Sequence, residues 1–211
     1  MELLPRSGER LWIDDLAHFH QKNSECGDPL LRDAAQSFVT NGFVLLKSVV
    51  SDGVINPAIA AYEEWCAGIV DGGHVRGDER RPRIVNLHSS RVELKQIFTR
   101  SETVLKVLDY LFGYKTSVYT SLIFQFGTEQ PIHRDTPVFR TEPENFYFGV
   151  WFALEDADAL NGALLALKGA HRGGLVDPYS FAKRHLSSIE EQTATGAPPV
   201  DALSARRQDC L

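Results

Sequence analysis

The apolar positions of this chain follow two periods in succession. In the first half they recur every three or four residues, the spacing of one helix face; from about residue 116 they alternate, the spacing of a strand. The first clear helix opens at Asp28-Pro29, where the aspartate can cap and the proline suits the first turn. Leu30, Leu31, Ala34, Ala35, Phe38 and Val39 form its apolar face, and Asn41-Gly42 ends it. Residues 43–46 read as a continuous apolar strand, interrupted at Lys47 and resumed at Val49-Val50. A second helix runs from Ser51-Asp52-Gly53 to about Val70, burying Ile59, Tyr62, Trp65 and Ile69, and Asp71-Gly72-Gly73 stops it. Ser101 caps a third, with Val104, Leu105, Leu108, Leu111 and Phe112 inward and Gly113 at its end.

The alternating half begins with residues 116–126, which put Val118, Thr120, Leu122, Phe124 and Phe126 on one face and Tyr119, Ser121, Ile123 and Gln125 on the other. Residues 146–154, rich in aromatic and branched side chains, predict a second long strand. Residues 156–162 predict a turn in which Asn161-Gly162 supplies positive φ angles, and residues 163–167 return as a short strand. Helices first and strands afterwards predict an α+β fold, a β-sandwich or jelly roll with the helices packed on one face. The expected organisation is a polar extension over 1–27, a domain over 28–190, and a disordered tail over 191–211, where periodicity is lost. Within the extension, Leu11-Trp12-Ile13 can pack on the domain, and His18 and His20 read as surface residues.

Composition narrows the function classes. A chain of 211 residues, 43% hydrophobic and 24% charged, matches one ordinary globular domain with a sizeable core. Its formal charge of −6 argues against general nucleic-acid binding, which needs a basic surface. No apolar run reaches the length of about 18 residues expected of a membrane span, and the first residues lack a signal-peptide pattern. Cys26, Cys66 and Cys210 are scattered and odd in number, which fits a reducing compartment; the expected location is cytoplasmic. Arg76, Arg80, Arg81 and Arg83 crowd a Gly-rich stretch at 71–83 that reads either as a solvated loop or as a lid over an anionic small-molecule substrate.

The candidate chemistry lies in Gln130-Pro131-Ile132-His133-Arg134-Asp135-Thr136. Residues two apart on an extended chain point the same way, so His133 and Asp135 can aim an imidazole and a carboxylate at one point. That pair is two-thirds of the facial triad that holds Fe(II) with positions left open for oxygen and a cosubstrate.

Three stretches together resemble the phytanoyl-CoA dioxygenase family of Fe(II)/2-oxoglutarate oxygenases. They are residues 38–46 (FVTNGFVLL), the His133-Arg134-Asp135 motif after a long strand, and GVWFALED (149–156) followed by NGAL (161–164) and KGAHRGG (168–174). The last two are similar to the family's tryptophan strand, turn and PGSH-type loop, with Lys168 and Ala170 as departures; the likeness runs over roughly 33–180. It implies a double-stranded β-helix (a cupin-like jelly roll), with His133 and Asp135 as the first two iron ligands. The implied cofactors are Fe(II) and 2-oxoglutarate, with ascorbate admitted, and the implied reaction is hydroxylation of a small organic or acyl substrate. Arg83, Tyr119, Gln125 and Trp151 are the candidates for the cosubstrate pocket.

The resemblance also exposes a gap. The family's third ligand comes late in the chain, ahead of an arginine that pairs with the 2-oxoglutarate carboxylate. After Asp135 this chain has only His171, in the PGSH-like loop, and His185, and no strand of the expected form precedes Leu211. Two expectations follow: an iron oxygenase whose third ligand is not evident, with His171 and His185 the only candidates, or a relative that lacks the C-terminal part of the β-helix and acts as an inactive binding module. In the second case, open sheet edges would favour oligomers or partner binding.

Overall fold

The computed structural model describes residues 5, 8–68, 74–76, 83–124, 135, 139, 141–158, 160–172, 200–203 and 205–210. Five α-helices stand among them: α1 (Leu16–Ser24), α2 (Pro29–Asn41), α3 (Asp52–Cys66), α4 (Val92–Thr99) and α5 (Glu102–Phe112). A 3-10 turn at Trp12–Asp14 precedes α1. Asp15 caps α1 by accepting from the amides of Ala17 and His18, and Asp28 caps α2 through the Leu30 amide at 2.9 Å. Gly42 closes α2 with φ 88° and Gly113 closes α5 with φ 75°, the left-handed geometry expected of a C-terminal glycine. Ser101 departs from its predicted capping role. Its hydroxyl donates backward to the Ile97 carbonyl at 2.5 Å, tying the end of α4 to the start of α5.

Two apolar clusters organise the helices. One joins α1, α2 and α5 through Trp12, Phe19, Ala34, Ala35, Val39, Val104, Val107 and Leu111. The expected polar extension is therefore part of the core: Phe19 is fully buried, Trp12 packs on it with ring centroids 5.8 Å apart, and the indole N–H donates to the Tyr110 carbonyl at 2.9 Å. Burial of one such phenylalanine is worth roughly 2–3 kcal/mol. The second cluster gathers Val54, Ile55, Ala58 and Tyr62 of α3, Leu94 and Ile97 of α4, and Ile84.

Strands β1 (His74–Arg76), β2 (Arg83–Val85) and β3 (Leu122–Ile123) form an antiparallel sheet in that order, with Arg76 opposite Arg83 in register. The arginine-rich stretch thus includes the arms of a hairpin. The long strand expected over 116–126 is regular only at β3 among the described residues 116–124. Its alternation shifts by one at Thr120-Ser121: Tyr119 is outward (63% exposed), yet Leu122 is also outward (42%) and Ile123 packs on the second cluster. The shift has a visible cause. Asn86, in the left-handed region at φ 58°, accepts from the Thr120 hydroxyl and the Ser121 amide through its side chain, while its own amide donates to the Ser121 carbonyl.

Strand β4 (Leu164–Leu167) pairs antiparallel with β5 (Val200–Leu203). The turn before β4 differs from expectation in one respect. Gly162 takes φ 103°, whereas Asn161 uses its side chain, donating to the Asp156 carbonyl and accepting from the Asp158 amide.

The chain end departs most from its predicted disorder. Besides β5, residues 205–210 lie between two extended segments: Cys210 exchanges both backbone hydrogen bonds with Leu46, and Ala205 does the same with Ala157. Asp209, 5% exposed, accepts from the amides of Ser48 and Arg206. Within the described residues 205–210 the polar groups find partners in the fold, and Cys210 and Ala205 are buried with them.

Candidate functional site

Residues 146–154 separate the core from the candidate site. Phe146, Phe148, Val150 and Phe152 pack on the α2–α5 cluster, and Phe152 with Leu154 reaches the α3–α4 cluster. Phe148 makes edge contacts with Phe38 and Phe112, at centroid distances of 4.9 and 4.6 Å. Only an extended backbone sends even-numbered residues one way, so the odd-numbered Tyr147, Gly149 and Trp151 turn the other way. Two contacts show what that side faces. The ring of Tyr147 lies 6.1 Å from that of Phe139, and a methyl group placed on Gly149 would lie 3.8 Å from Asp135 Oδ2. The amide of Phe139 donates to the Asp135 carbonyl at 2.9 Å.

Asp135 lies on the face of 146–154 that looks away from the helices, across from a residue with no side chain. Its half-buried carboxylate is a hard oxygen donor suited to a divalent cation. Trp151, half-buried, shares that face two residues from Gly149, about 7 Å along an extended chain. Of the other candidates, Arg83 is half-buried on β2, and Tyr119 is turned to solvent. The readings that name His133, Gln125 and His185 lie outside the described residues, as do Arg80, Arg81 and Arg134.

His171 has a different job. Its Nε2 lies 3.2 Å from the Val39 carbonyl oxygen, and Arg172 donates to the same oxygen through Nη2. The Gly169 amide donates to the Asn41 carbonyl at 2.8 Å. Val39 and Asn41 are among the last residues of α2, whose carbonyls have no partner within the helix. Gly169, His171 and Arg172 therefore cap that helix, and the cationic arginine also suits the negative end of the helix dipole. Close approach explains Gly42 as well: a methyl group there would meet His171 Nδ1 at 2.5 Å. These contacts place His171 at the α2 terminus, and among the described residues no cluster of three histidine, cysteine or acidic side chains could hold a metal ion.

The sequence reading missed Gly149, Tyr147 and Phe139 as site residues. A signal existed for the first, since one glycine in a run of bulky residues often marks the close approach of a ligand or another backbone.

Comparison with known proteins supplies the context. The family description that matches is phytanoyl-CoA dioxygenase (PhyH), over residues 38–202. The peroxisomal phytanoyl-CoA dioxygenase of Rattus norvegicus is 29% identical over 162 residues, 68% of this chain and 48% of that protein. The phytanoyl-CoA dioxygenase domain-containing protein 1 of Bos taurus is 44% identical over 75 residues, 36% of this chain and 25% of its own. The chain spans about half the length of the phytanoyl-CoA dioxygenases it matches. Two solved enzymes of nogalamycin biosynthesis share its fold. The epimerase SnoN, in complex with Fe3+, alpha-ketoglutarate and nogalamycin RO, aligns with a TM-score of 0.64 at 16% identity over 87% of this chain and 73% of that one. The alpha-ketoglutarate-dependent carbocyclase SnoK aligns with a TM-score of 0.61 at 16% identity over 89% and 74%.

Proposed function

The chain belongs to the phytanoyl-CoA dioxygenase family, and from that premise we propose that it is a non-haem Fe(II)/2-oxoglutarate-dependent dioxygenase acting on a small organic or acyl substrate, built on a double-stranded β-helix. The observation that carries this reading is the Asp135 carboxylate facing the side-chain gap at Gly149, away from the helical core. Asp135 holds the ion, and His133, two residues earlier in the same motif, is its partner donor. With 2-oxoglutarate, the bound iron supplies the oxidising power to hydroxylate a C–H bond. The chain's own contribution is placement: on the odd-numbered face of 146–154, Tyr147 packs on Phe139 and Trp151 adds an apolar surface for substrate. Arg83 is the described cation proposed to pair with a cosubstrate or substrate carboxylate, and a reductant such as ascorbate would keep the iron ferrous. Three cysteines that form no disulfide suit a reducing compartment such as the cytoplasm.

A second reading is an inactive binding module. It is favoured by the engagement of His171 at the end of α2, which leaves the third ligand unassigned. Anaerobic titration of the full chain with Fe(II) and 2-oxoglutarate decides between them. The enzyme reading expects a visible metal-to-ligand charge-transfer band, lost in His133→Ala and Asp135→Ala, and succinate release once oxygen is admitted. No band and no succinate at saturating iron would leave the binding module.

A further inference from the structure

Tyr62 and Tyr110 both lie beside cysteines, and they differ in one respect. On α5, burial and the neighbouring Cys26 thiol push the Tyr110 phenol up, and its hydroxyl donates to Asn23 Oδ1 at 3.3 Å. On α3, Tyr62 stands one helical turn before Cys66, so the two side chains share a face. Tyr62 is 8% exposed and belongs to the apolar cluster with Ile55, Ala58 and Leu94. Burial first, and then the Cys66 thiol, raise its phenol as well, so the hydroxyl remains a donor at neutral pH. Among the described residues, however, that buried hydroxyl has no hydrogen-bond partner. The thiol approaches it without meeting hydrogen-bond geometry, and sulfur is in any case a weak acceptor. Cys66 itself, the last residue of α3, is exposed. A buried donor left without an acceptor is normally destabilising. Here it is held beside a solvent-accessible sulfur that oxidation turns into a strong acceptor.

We propose that Cys66 is a reversible oxidation site and that Tyr62 is the donor that receives the oxygen it acquires. The oxidant is a hydroperoxide such as hydrogen peroxide. The thiol releases its proton, and the sulfur attacks one peroxide oxygen. An S–O bond forms as the O–O bond breaks, sulfur is oxidised by two electrons to the sulfenic acid, and the second oxygen leaves as hydroxide, which takes the released proton and becomes water. The new oxygen stands one bond beyond sulfur and accepts from the Tyr62 hydroxyl. A small thiol reverses the change: it displaces water to give a mixed disulfide, and a second thiol then frees Cys66. The arrangement acts on the oxidised product rather than on the rate of its formation. The other cysteines lack it. Cys210 is 2% exposed, and the phenol beside Cys26 already has its acceptor in Asn23.

The test treats the full-length chain with hydrogen peroxide, removes the excess, and traps aliquots with dimedone at intervals for peptide mass spectrometry. The wild type, Tyr62→Phe and Cys66→Ser are compared. Cys66 is expected to be the principal sulfenic acid, and to outlast the same group in Tyr62→Phe by at least about fivefold, the factor one ordinary hydrogen bond supplies. Oxidation should also raise the thermal midpoint of the wild type by about 2 °C, and leave those of Tyr62→Phe and Cys66→Ser where they were. A merely structural tyrosine would not produce that difference between oxidised and reduced protein. Tyr62→Phe keeps the ring and removes a hydroxyl that has no partner, so the reduced variant should be at least as stable as the wild type. Equal sulfenic acid lifetimes in wild type and Tyr62→Phe would overturn the proposal. So would oxidation that falls on Cys26 in place of Cys66, or none at Cys66 at all. If Tyr62→Phe does not fold, the midpoint shift decides: the same response to peroxide in wild type and Cys66→Ser would equally overturn it.

Discussion

The two faces of residues 146–154 differ in what holds them. Phe146, Phe148, Val150 and Phe152 interlock with the helices, Phe148 touching rings from both α2 and α5. On the other face, Tyr147 packs on Phe139, Gly149 has no side chain, and Trp151 is half-exposed. One extended segment thus serves as core on one side and as the wall of a candidate site on the other, because a strand's period of two divides its side chains without cost to either set. Stability should therefore reside on the even face and ligand binding on the odd face.

The strongest way to break that division is Phe148→Ala. It should cost about 3 kcal/mol, since a large ring leaves a gap between two helices, and urea denaturation would read it as a lower midpoint with an unchanged slope. Asp135→Asn, nearly isosteric and on the other face, should move the same midpoint less than Phe148→Ala does while abolishing Mn(II) binding. A comparable loss of stability in both variants would erase the distinction.

Asp209→Ala comes next, at about 2 kcal/mol. Its carboxylate is buried and accepts from two backbone amides, which would be left without that partner. Equilibrium unfolding of this variant reports whether the 205–210 segment is as integral to the core side as its hydrogen bonds indicate.

A smaller effect should appear with pH. Burial, with help from Lys95, pushes the His88 imidazole below its ordinary value, and its Nδ1 lies 2.5 Å from the Ser121 hydroxyl. The unfolded chain therefore binds this proton more readily than the folded one. Stability is fully present above the ordinary imidazole value of about 6.5 and is lost as pH falls from there toward the lowered folded value. Denaturation midpoints at pH 7.5 and 5.5 should differ, and less so in His88→Gln. The carboxylates of Asp28 and Asp109, lowered by their lysine partners Lys106 and Lys115, act in a more acidic window, so the two effects do not overlap. Smallest of all, Trp151→Ala should change stability by no more than about 1 kcal/mol, yet weaken substrate binding if the odd face is the site.

Local chemistry made much of this legible. Asp28-Pro29 and Asn41-Gly42 bracket α2 as read, because caps and left-handed glycines act within one turn. The aromatic and branched residues of 146–154 marked a segment that packs on the helices. What could not be read depended on distant partners. The parity shift at Thr120-Ser121 is imposed by Asn86, more than thirty residues away. His171, a tempting ligand by residue type, closes α2 from the far side of the fold. The 200–210 stretch looked disordered because its polar groups find their partners at Leu46, Ser48, Ala157 and β4.

The sequence by itself determined the ends of α2 and α5 and the family, since these are carried by residue types a few positions apart. The tertiary structure alone decided that one glycine faces the Asp135 carboxylate, that a histidine is a helix cap, and that the chain's end lies between two of its earlier segments. Backbone hydrogen bonds and close approaches join residues without regard to their separation in sequence, and neither period nor composition records which ones they will join.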